Sequence, residues 1–211
     1  MKHTNKSNSG SNTYDRSTWL LASCAAIVFC SLTIAACHRE VTLEPASLPN
    51  VSVIDDHGRS VSLGSLRGKV ILLDFIHVGC PGVCTTLVSK FGEVADSLRP
   101  ELGSKVVLLS VTNDPEHDRP EQLLALARKS DADLDGWLFV TGKPADVDRV
   151  IEAFGINNKR LPDGSPAHIT QVFLLGIDGQ KKREYHGMLM EPQAVVSQIR
   201  AAMPPAQGGA S

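Results

Sequence analysis

The stretch Asp74-Phe75-Ile76-His77-Val78-Gly79-Cys80-Pro81-Gly82-Val83-Cys84 decides the fold, because it joins a buried strand to a helix through a turn. The turn carries two cysteines four residues apart. The apolar run 70–76 is typical of a strand, and an amphipathic helical pattern follows the turn. Backbone N–H groups at such a junction favour anions and the thiolate form of cysteine. Three chemistries use two thiols in this position: thiol–disulfide exchange, peroxide reduction and the binding of a thiophilic metal.

Composition and charge narrow the class of protein. The chain has 211 residues, which suits one domain or one domain with a tail. The hydrophobic content of 42% and the charged content of 21% are ordinary for a globular protein, and the formal net charge of −2 argues against a nucleic-acid partner. Five cysteines are an odd number, so the position of each one matters.

Three of the cysteines lie in an N-terminal segment that has the pattern of an export signal. Residues 17–37 carry no charge and follow a polar leader with three basic residues, Lys2, Lys6 and Arg16. The end of the segment, Ile34-Ala35-Ala36-Cys37, resembles a bacterial lipoprotein signal, in which Cys37 would become the lipidated first residue. An uncleaved membrane anchor with its basic end inside is the alternative, since the segment is long enough to span a bilayer. Cys24 and Cys30 then serve as small apolar residues.

Both interpretations place the rest of the chain at the periplasmic face of a bacterial membrane, where disulfides persist. The sequence predicts a signal or anchor at 1–37, a linker at 38–50, a folded domain at 51–203 and a disordered tail at 204–211. The mature part retains Cys80 and Cys84, together with an acylated Cys37 in the lipoprotein interpretation.

Strands and helices alternate along the domain. An initial hairpin is predicted around the Asp56-His57-Gly58 turn, and a second hairpin around Asp178-Gly179. Further strands are predicted at 69–76, 106–111, 137–140, 169–175 and 181–185. Helices are predicted after the cysteines, from Pro120, around 147–154 and over 192–203. This order predicts an α/β domain with a central mixed sheet, helices on both faces and an N-terminal β-hairpin, for which a thioredoxin-like fold is the natural candidate.

Four segments in order resemble the Sco/SenC family of thioredoxin-like copper chaperones, which is linked to cytochrome oxidase assembly. They are Cys80-Pro81-Gly82-Val83-Cys84, the segment 110–121 with its Asp114-Pro115 pair, the segment 136–142, and the segment 168–175 that begins with His168. The chain departs from the family pattern at Thr85, where many members have proline, and at Asn113, where an apolar residue is common.

The resemblance implies a copper site formed by Cys80, Cys84 and His168. It also implies a role in delivering copper, as Cu(I), Cu(II) or both, to an apo-protein recipient such as a subunit of cytochrome c oxidase. The chain would act there as a copper chaperone, and a thiol–disulfide role on the cysteines of the recipient could accompany delivery.

The residues support a metal site on their own terms. Positions four apart share one face of a helical turn, with Cβ atoms about 5–6 Å apart, so the sulfurs of Cys80 and Cys84 can converge on one ion. The same spacing also permits a Cys80–Cys84 disulfide. Cu(I) is soft and accepts few ligands, whereas structural zinc normally takes a fourth protein ligand that the sequence pattern does not supply.

The histidines differ in what the sequence predicts for them. His168 lies at a loop–strand junction, where a histidine taken alone is more often structural; the resemblance makes it a ligand. His77 could tune the site, add a ligand or simply be solvated or buried. His117 is predicted to face solvent, while His57 and His186 belong to turns without an evident partner.

Two other features have plain structural interpretations. Met188 and Met190 could offer thioethers to copper, but alternate methionines near a final helix more often pack in the core. The Asp114-Pro115 pair is predicted to shape the turn after a central strand, although a catalytic carboxylate is conceivable.

A thiol–disulfide oxidoreductase is the alternative function, with Cys80 as the attacking thiolate and Cys84 as the resolving thiol. Ordinary thioredoxin-type enzymes use two residues between the cysteines, whereas this chain has three, and they place a proline rather than a histidine opposite the thiols. Both differences favour metal binding. A peroxiredoxin is a more distant third interpretation, because its usual sequence context is absent.

Overall fold

The computed structural model describes residues 46–80 and 82–204. The predicted signal or anchor segment, the lipidation of Cys37, most of the predicted linker and the end of the predicted tail lie outside these residues. Among the helices that are described, none has the length and apolar character needed to cross a bilayer.

Seven strands and four α-helices make up the described part of the chain. The strands are β1 Ser52–Asp55, β2 Ser60–Ser62, β3 Val70–Ile76, β4 Val106–Thr112, β5 Trp137–Thr141, β6 Gln171–Leu175 and β7 Lys181–His186. The helices are α1 Val83–Ser97, α2 Pro120–Lys129, α3 Pro144–Ala153 and α4 Pro192–Ala202, with short 3₁₀ turns at Leu63–Leu66 and Gly187–Leu189.

The strands form one mixed sheet in the order β2-β1-β5-β4-β3-β6-β7. Strands β3, β4 and β5 are parallel, whereas β1, β6 and β7 join by antiparallel pairing. Strands β1 and β2 form the predicted N-terminal hairpin. The prediction of a mixed sheet that begins with a hairpin is confirmed.

Helices cover both faces of the sheet. Alternate side chains of the central strands pack into a core on each face. On β3, Val70 and Leu72 face a core shared with α1, α2 and α4, whereas Ile71 and Leu73 face a second core shared with α3. Every residue of β3 and β4 is buried, as expected for strands that are covered on both sides. The predicted layered α/β architecture is confirmed.

Packed residues begin earlier than the predicted start of the domain at Val51. The Leu48 N–H donates to the Gly179 carbonyl at 2.9 Å, and the Lys181 N–H donates to the Ala46 carbonyl at 2.7 Å. Leu48 is also fully buried. Residues 46–48 therefore lie against the turn between β6 and β7, although their sequence has the proline-rich character of a linker.

Strand β6 begins at Gln171, two residues later than predicted, so His168 lies in an irregular segment before the strand. The reason is the register, since β3 and β6 pair only from Ile71 to Leu73 on the β3 side. Beyond that point β3 leads into the cysteine turn. The Thr170 carbonyl instead accepts the Gly187 N–H at 2.7 Å.

The carboxyl ends of the parallel strands β3 and β4 meet at one edge of the sheet, and α1 begins there. Gly82 immediately precedes α1 with φ of +89°, a left-handed conformation that suits glycine. This geometry sets the direction in which the chain leaves the cysteine turn and places both thiols at the sheet edge.

Candidate metal centre

Cys80 and Cys84 lie together at the amino end of α1. Cys80 ends the turn after β3, and Cys84 lies in the first turn of the helix. The Cys84 backbone N–H donates to Cys80 Sγ at 3.2 Å, and both side chains are buried. The structure describes both cysteines as free thiols, and the disulfide between them stays a prediction.

The irregular segment before β6 brings His168 to the thiols from a distant part of the sequence. His168 Nδ1 lies 3.2 Å from Cys80 Sγ. His168 is exposed, whereas both cysteines are buried, so it covers the thiols from the solvent side. All three residues that the sequence predicted as ligands therefore meet at one point.

His77 is a fourth member of this cluster. One donor atom from each of His77, Cys80, Cys84 and His168 lies within 4.8 Å of the other three. The His77 ring is 5% exposed and stacks on the His168 ring, with centroids 5.3 Å apart and planes inclined by 7°. The sequence signal for His77 was only its position between β3 and Cys80.

The surroundings of His77 favour the neutral form of its imidazole. Burial lowers its pKa from the usual value, and the proximity of His168 lowers it further. The neighbouring Asn113 amide opposes this shift more weakly. A neutral imidazole has a lone pair available for a metal ion.

Polar contacts hold the His168 segment against the end of β4. Asn113 Nδ2 donates to the Ala167 carbonyl at 2.9 Å, and Arg160 Nη1 donates to Asp114 Oδ1 at 2.8 Å. Partial burial works against ionisation of Asp114, but hydrogen bonds from His117 and Arg160 outweigh it and lower the pKa of that carboxyl. The structure thus gives Asp114 the structural role that was predicted from its turn position.

Asp118 holds the cysteine turn from the other side, and sequence reasoning missed it. Its Oδ2 accepts the Val78 N–H at 3.1 Å and also the Thr112 hydroxyl. Burial raises the pKa of Asp118. No sequence signal marks this residue, because its partners become neighbours only in the folded chain.

The thiols lie in a low-dielectric environment. Burial, and secondarily the hydrogen bond with Cys80, raise the pKa of the Cys84 thiol. Below the site, Asp74 is fully buried, and burial raises its pKa to about 7 against a weaker opposing effect of the Ser110 hydroxyl. The effect of burial, which raises the pKa of Cys84, is therefore larger than that of the helix N-terminus, which lowers it. A metal ion that binds Cys84 must displace the thiol proton.

An open cleft of about 590 Å³ gives access to the thiols. Cys80 and Cys84 form its floor beside His77, and Leu126 and Lys129 of α2 form part of its wall. The cleft is large enough for a side chain or an extended segment of a second protein to reach the sulfurs.

The remaining candidates lie apart from this cluster. His117 is exposed and bonds Asp114 through Nδ1 at 2.9 Å, while Met190 is buried in the core, as predicted. His57 has partners that the sequence did not reveal, since its ring lies 3.5 Å from Asp56 and 3.4 Å from Asp133.

The SCO1/SenC family model matches residues 44–204 of the chain. A SCO1 protein homolog of Bacillus subtilis is 28% identical over 187 residues, which cover 84% of this chain and 94% of that protein.

Two solved structures are also similar. The copper-bound structure of Bradyrhizobium japonicum ScoI has a TM-score of 0.65 at 23% identity, over 74% of this chain and 99% of ScoI. BsSco, described as a member of the Sco family of cytochrome c oxidase assembly proteins with a disulfide switch, has a TM-score of 0.64 at 25% identity, over 75% and 95% of the two chains.

Proposed function

This chain belongs to the SCO1/SenC family, and from that premise we propose that it is a membrane-tethered extracytoplasmic copper chaperone. It delivers copper to the copper centre of a respiratory oxidase, with a cytochrome c oxidase subunit as the recipient. The observation that carries this proposal is the convergence of the Cys80 and Cys84 sulfurs with the His168 imidazole at one point of the sheet edge.

The donor set fits Cu(I). In this proposal Cys80 and Cys84 supply two thiolates and His168 supplies one imidazole nitrogen, which are the ligands that a soft ion of low coordination number prefers. Both thiols must be reduced and must lose their protons when the ion binds.

The position of the three donors also suits transfer to another protein. The sulfurs form the floor of an open cleft, and His168 is exposed on the solvent side. An incoming ligand of the recipient can therefore replace His168 first and the thiolates afterwards. The charge-free segment 17–37 supports the membrane tether, through a lipidated Cys37 or an intact anchor.

An anaerobic Cu(I) titration tests the site. The reduced full chain is purified in detergent with Cys24→Ser, Cys30→Ser and Cys37→Ser, so that Cys80 and Cys84 are the remaining thiols, and Cu(I) is supplied from a chromophoric chelator. We expect one Cu(I) per chain, and a large loss of affinity in each of Cys80→Ala, Cys84→Ala and His168→Ala. The matched control is His186→Ala, which removes an exposed histidine outside the cluster. Wild-type binding in all three site variants would refute the assignment.

A thiol–disulfide oxidoreductase is the second candidate, and one observation favours it. Cys80 Sγ accepts the Cys84 N–H, which leaves Cys80 positioned as the attacking sulfur with Cys84 four residues away to resolve the mixed disulfide. The metal-free reduced chain is incubated with a disulfide-containing peptide, and thiol release is followed. Rapid reduction by a chain that binds no Cu(I) would establish this function in place of copper delivery.

A further inference from the structure

His77 is a buried imidazole directed at the thiols. It is 5% exposed, and Asn113 is a side-chain hydrogen-bond partner of its ring. A contact of this kind uses one ring nitrogen and leaves the second available to a metal ion. The nearest groups that need another donor are the two sulfurs and His168.

Asn113 supplies the second observation. Its Nδ2 donates to the Ala167 carbonyl at 2.9 Å, which fixes the orientation of the amide. Its Oδ1 then lies buried near the His77 ring and has no other hydrogen-bond partner among the described residues. Metal-bound histidines almost always donate their second ring N–H to an oxygen acceptor, and Asn113 Oδ1 is such an acceptor. Asn113 is also where the chain departs from the family pattern, and a role beside His77 accounts for that departure.

We propose that His77 is a fourth ligand of this centre, oriented by Asn113, and that the site therefore holds a four-coordinate divalent ion as well as Cu(I). The inference rests on the proposed function, because it uses the same two thiolates and His168. His77 adds one nitrogen, so the donor set becomes two sulfurs and two nitrogens. Zn²⁺ and similar borderline ions prefer such a set.

One adjustment completes the site. The two imidazole rings are nearly parallel, so one ring must turn for both nitrogen lone pairs to meet a single ion. His168 is the exposed ring and turns toward solvent without displacing core side chains, whereas His77 is held in the core. The four donor atoms are already within 4.8 Å of one another.

Zn²⁺ and Co²⁺ test the proposal, because neither ion oxidises the thiols under anaerobic conditions. The full chain in detergent, with Cys24→Ser, Cys30→Ser and Cys37→Ser, is titrated with Co²⁺ and then with Zn²⁺ as a competitor. His77→Phe removes the nitrogen but keeps an aromatic ring stacked on His168, and Asn113→Leu removes the orienting amide. His186→Phe is the matched control, an exposed histidine outside the cluster. Cu(I) is titrated into every variant in parallel.

We expect His77→Phe to weaken Co²⁺ and Zn²⁺ binding by more than the roughly 10–100-fold that loss of an outer-shell residue causes. The intense ligand-field absorption of four-coordinate Co²⁺ should also be lost. Asn113→Leu should weaken binding by about 10–100-fold, and His186→Phe should have no effect. Cu(I) should still bind His77→Phe at one per chain.

The two proposals fail in different ways. Unchanged Co²⁺ affinity and absorption in His77→Phe would overturn the fourth ligand, while leaving Cu(I) binding by Cys80, Cys84 and His168 intact. Wild-type Cu(I) affinity in all of Cys80→Ala, Cys84→Ala and His168→Ala would overturn the copper site itself. If His77→Phe does not fold, Co²⁺-loaded wild-type protein decides the matter by NMR. Paramagnetically shifted ring protons from two histidines support the proposal, and shifted protons from one histidine overturn it.

Discussion

Asp74 lies in an environment that opposes the ionisation of its carboxyl group. It is fully buried on β3, and the weak contact with the Ser110 hydroxyl does not compensate for the loss of water around its carboxyl group. Burial raises its pKa from 3.8 to about 7. The native chain therefore keeps a proton on Asp74 over a pH range in which the unfolded chain has lost it.

This difference predicts that stability falls as pH rises. Between about pH 4 and pH 7 the native state binds one more proton than the unfolded state, so the free energy of unfolding decreases with pH and levels off above pH 7. A shift of this size corresponds to roughly 4 kcal/mol. Asp74→Asn carries no titratable group, and we expect it to lose less stability than the wild type between pH 4.5 and pH 8.

Urea unfolding of the full chain at both pH values provides the measurement. Asp96→Asn is the control, because Asp96 is an exposed carboxylate on α1, and this variant should follow the wild type. Equal pH dependence in the wild type and Asp74→Asn would show that Asp74 is ionised in the native state throughout this range.

At the scale of the elements, the segment between α3 and β6 matters because it carries His168 without being a strand or a helix. Its position depends on Arg160, which binds Asp114, and on Asn113, which binds Ala167 next to His168. Asn158 Nδ2 adds a bond to the Asn113 carbonyl at 3.0 Å. These contacts replace the strand pairing that the segment lacks.

We expect Arg160→Ala to weaken Cu(I) binding by about tenfold, because it releases the segment that positions His168 without removing a ligand. The matched control is Lys159→Ala, which removes a neighbouring exposed positive charge that makes no contact with Asp114. A competition titration with a chromophoric chelator measures both affinities. A loss of equal size in both variants would attribute the effect to net charge rather than to the Asp114 contact.

The elements also show what sequence can predict. Strands β3 and β4 were predicted because nearly uninterrupted apolar runs indicate burial on both faces of a sheet. Helix α2 was predicted because Pro120 suits the first turn of a helix. The late start of β6 was not predictable, since Ile169 is buried and apolar without belonging to the strand. The apolar pattern before β6 indicates that these side chains are buried. Whether they belong to the strand depends on how far β3 pairs with β6.

The same distinction applies to the site. Cys80 and Cys84 could be predicted because their spacing and turn are local, but His168 was assigned only through the family resemblance. The contacts of His77, Asn113 and Asp118 could not be predicted, because each links segments that are distant in sequence. A motif within one short segment can be predicted from the sequence. The residues that orient its side chains can be identified only in the folded structure.

At the scale of the whole molecule, a metal ion at this centre would join three parts of the chain. These are the turn that ends β3, the first turn of α1, and the segment before β6. An ion that binds only the folded chain stabilises it by mass action, by about 4 kcal/mol when its free concentration is about 1,000 times the Kd.

We therefore expect Cu(I) to raise the Tm of the reduced full chain, and by about 10 °C at that degree of saturation for a domain of this size. Thermal unfolding followed by circular dichroism, under anaerobic conditions and with buffered free Cu(I), measures the shift in the background without Cys24, Cys30 and Cys37. Cys84→Ala should show almost no shift, and His186→Ala should match the wild type. Hydrogen exchange should slow on binding in 77–84 and 165–170 together, because one ion holds both segments. Slower exchange in 77–84 alone would mean that the thiols bind the ion without His168.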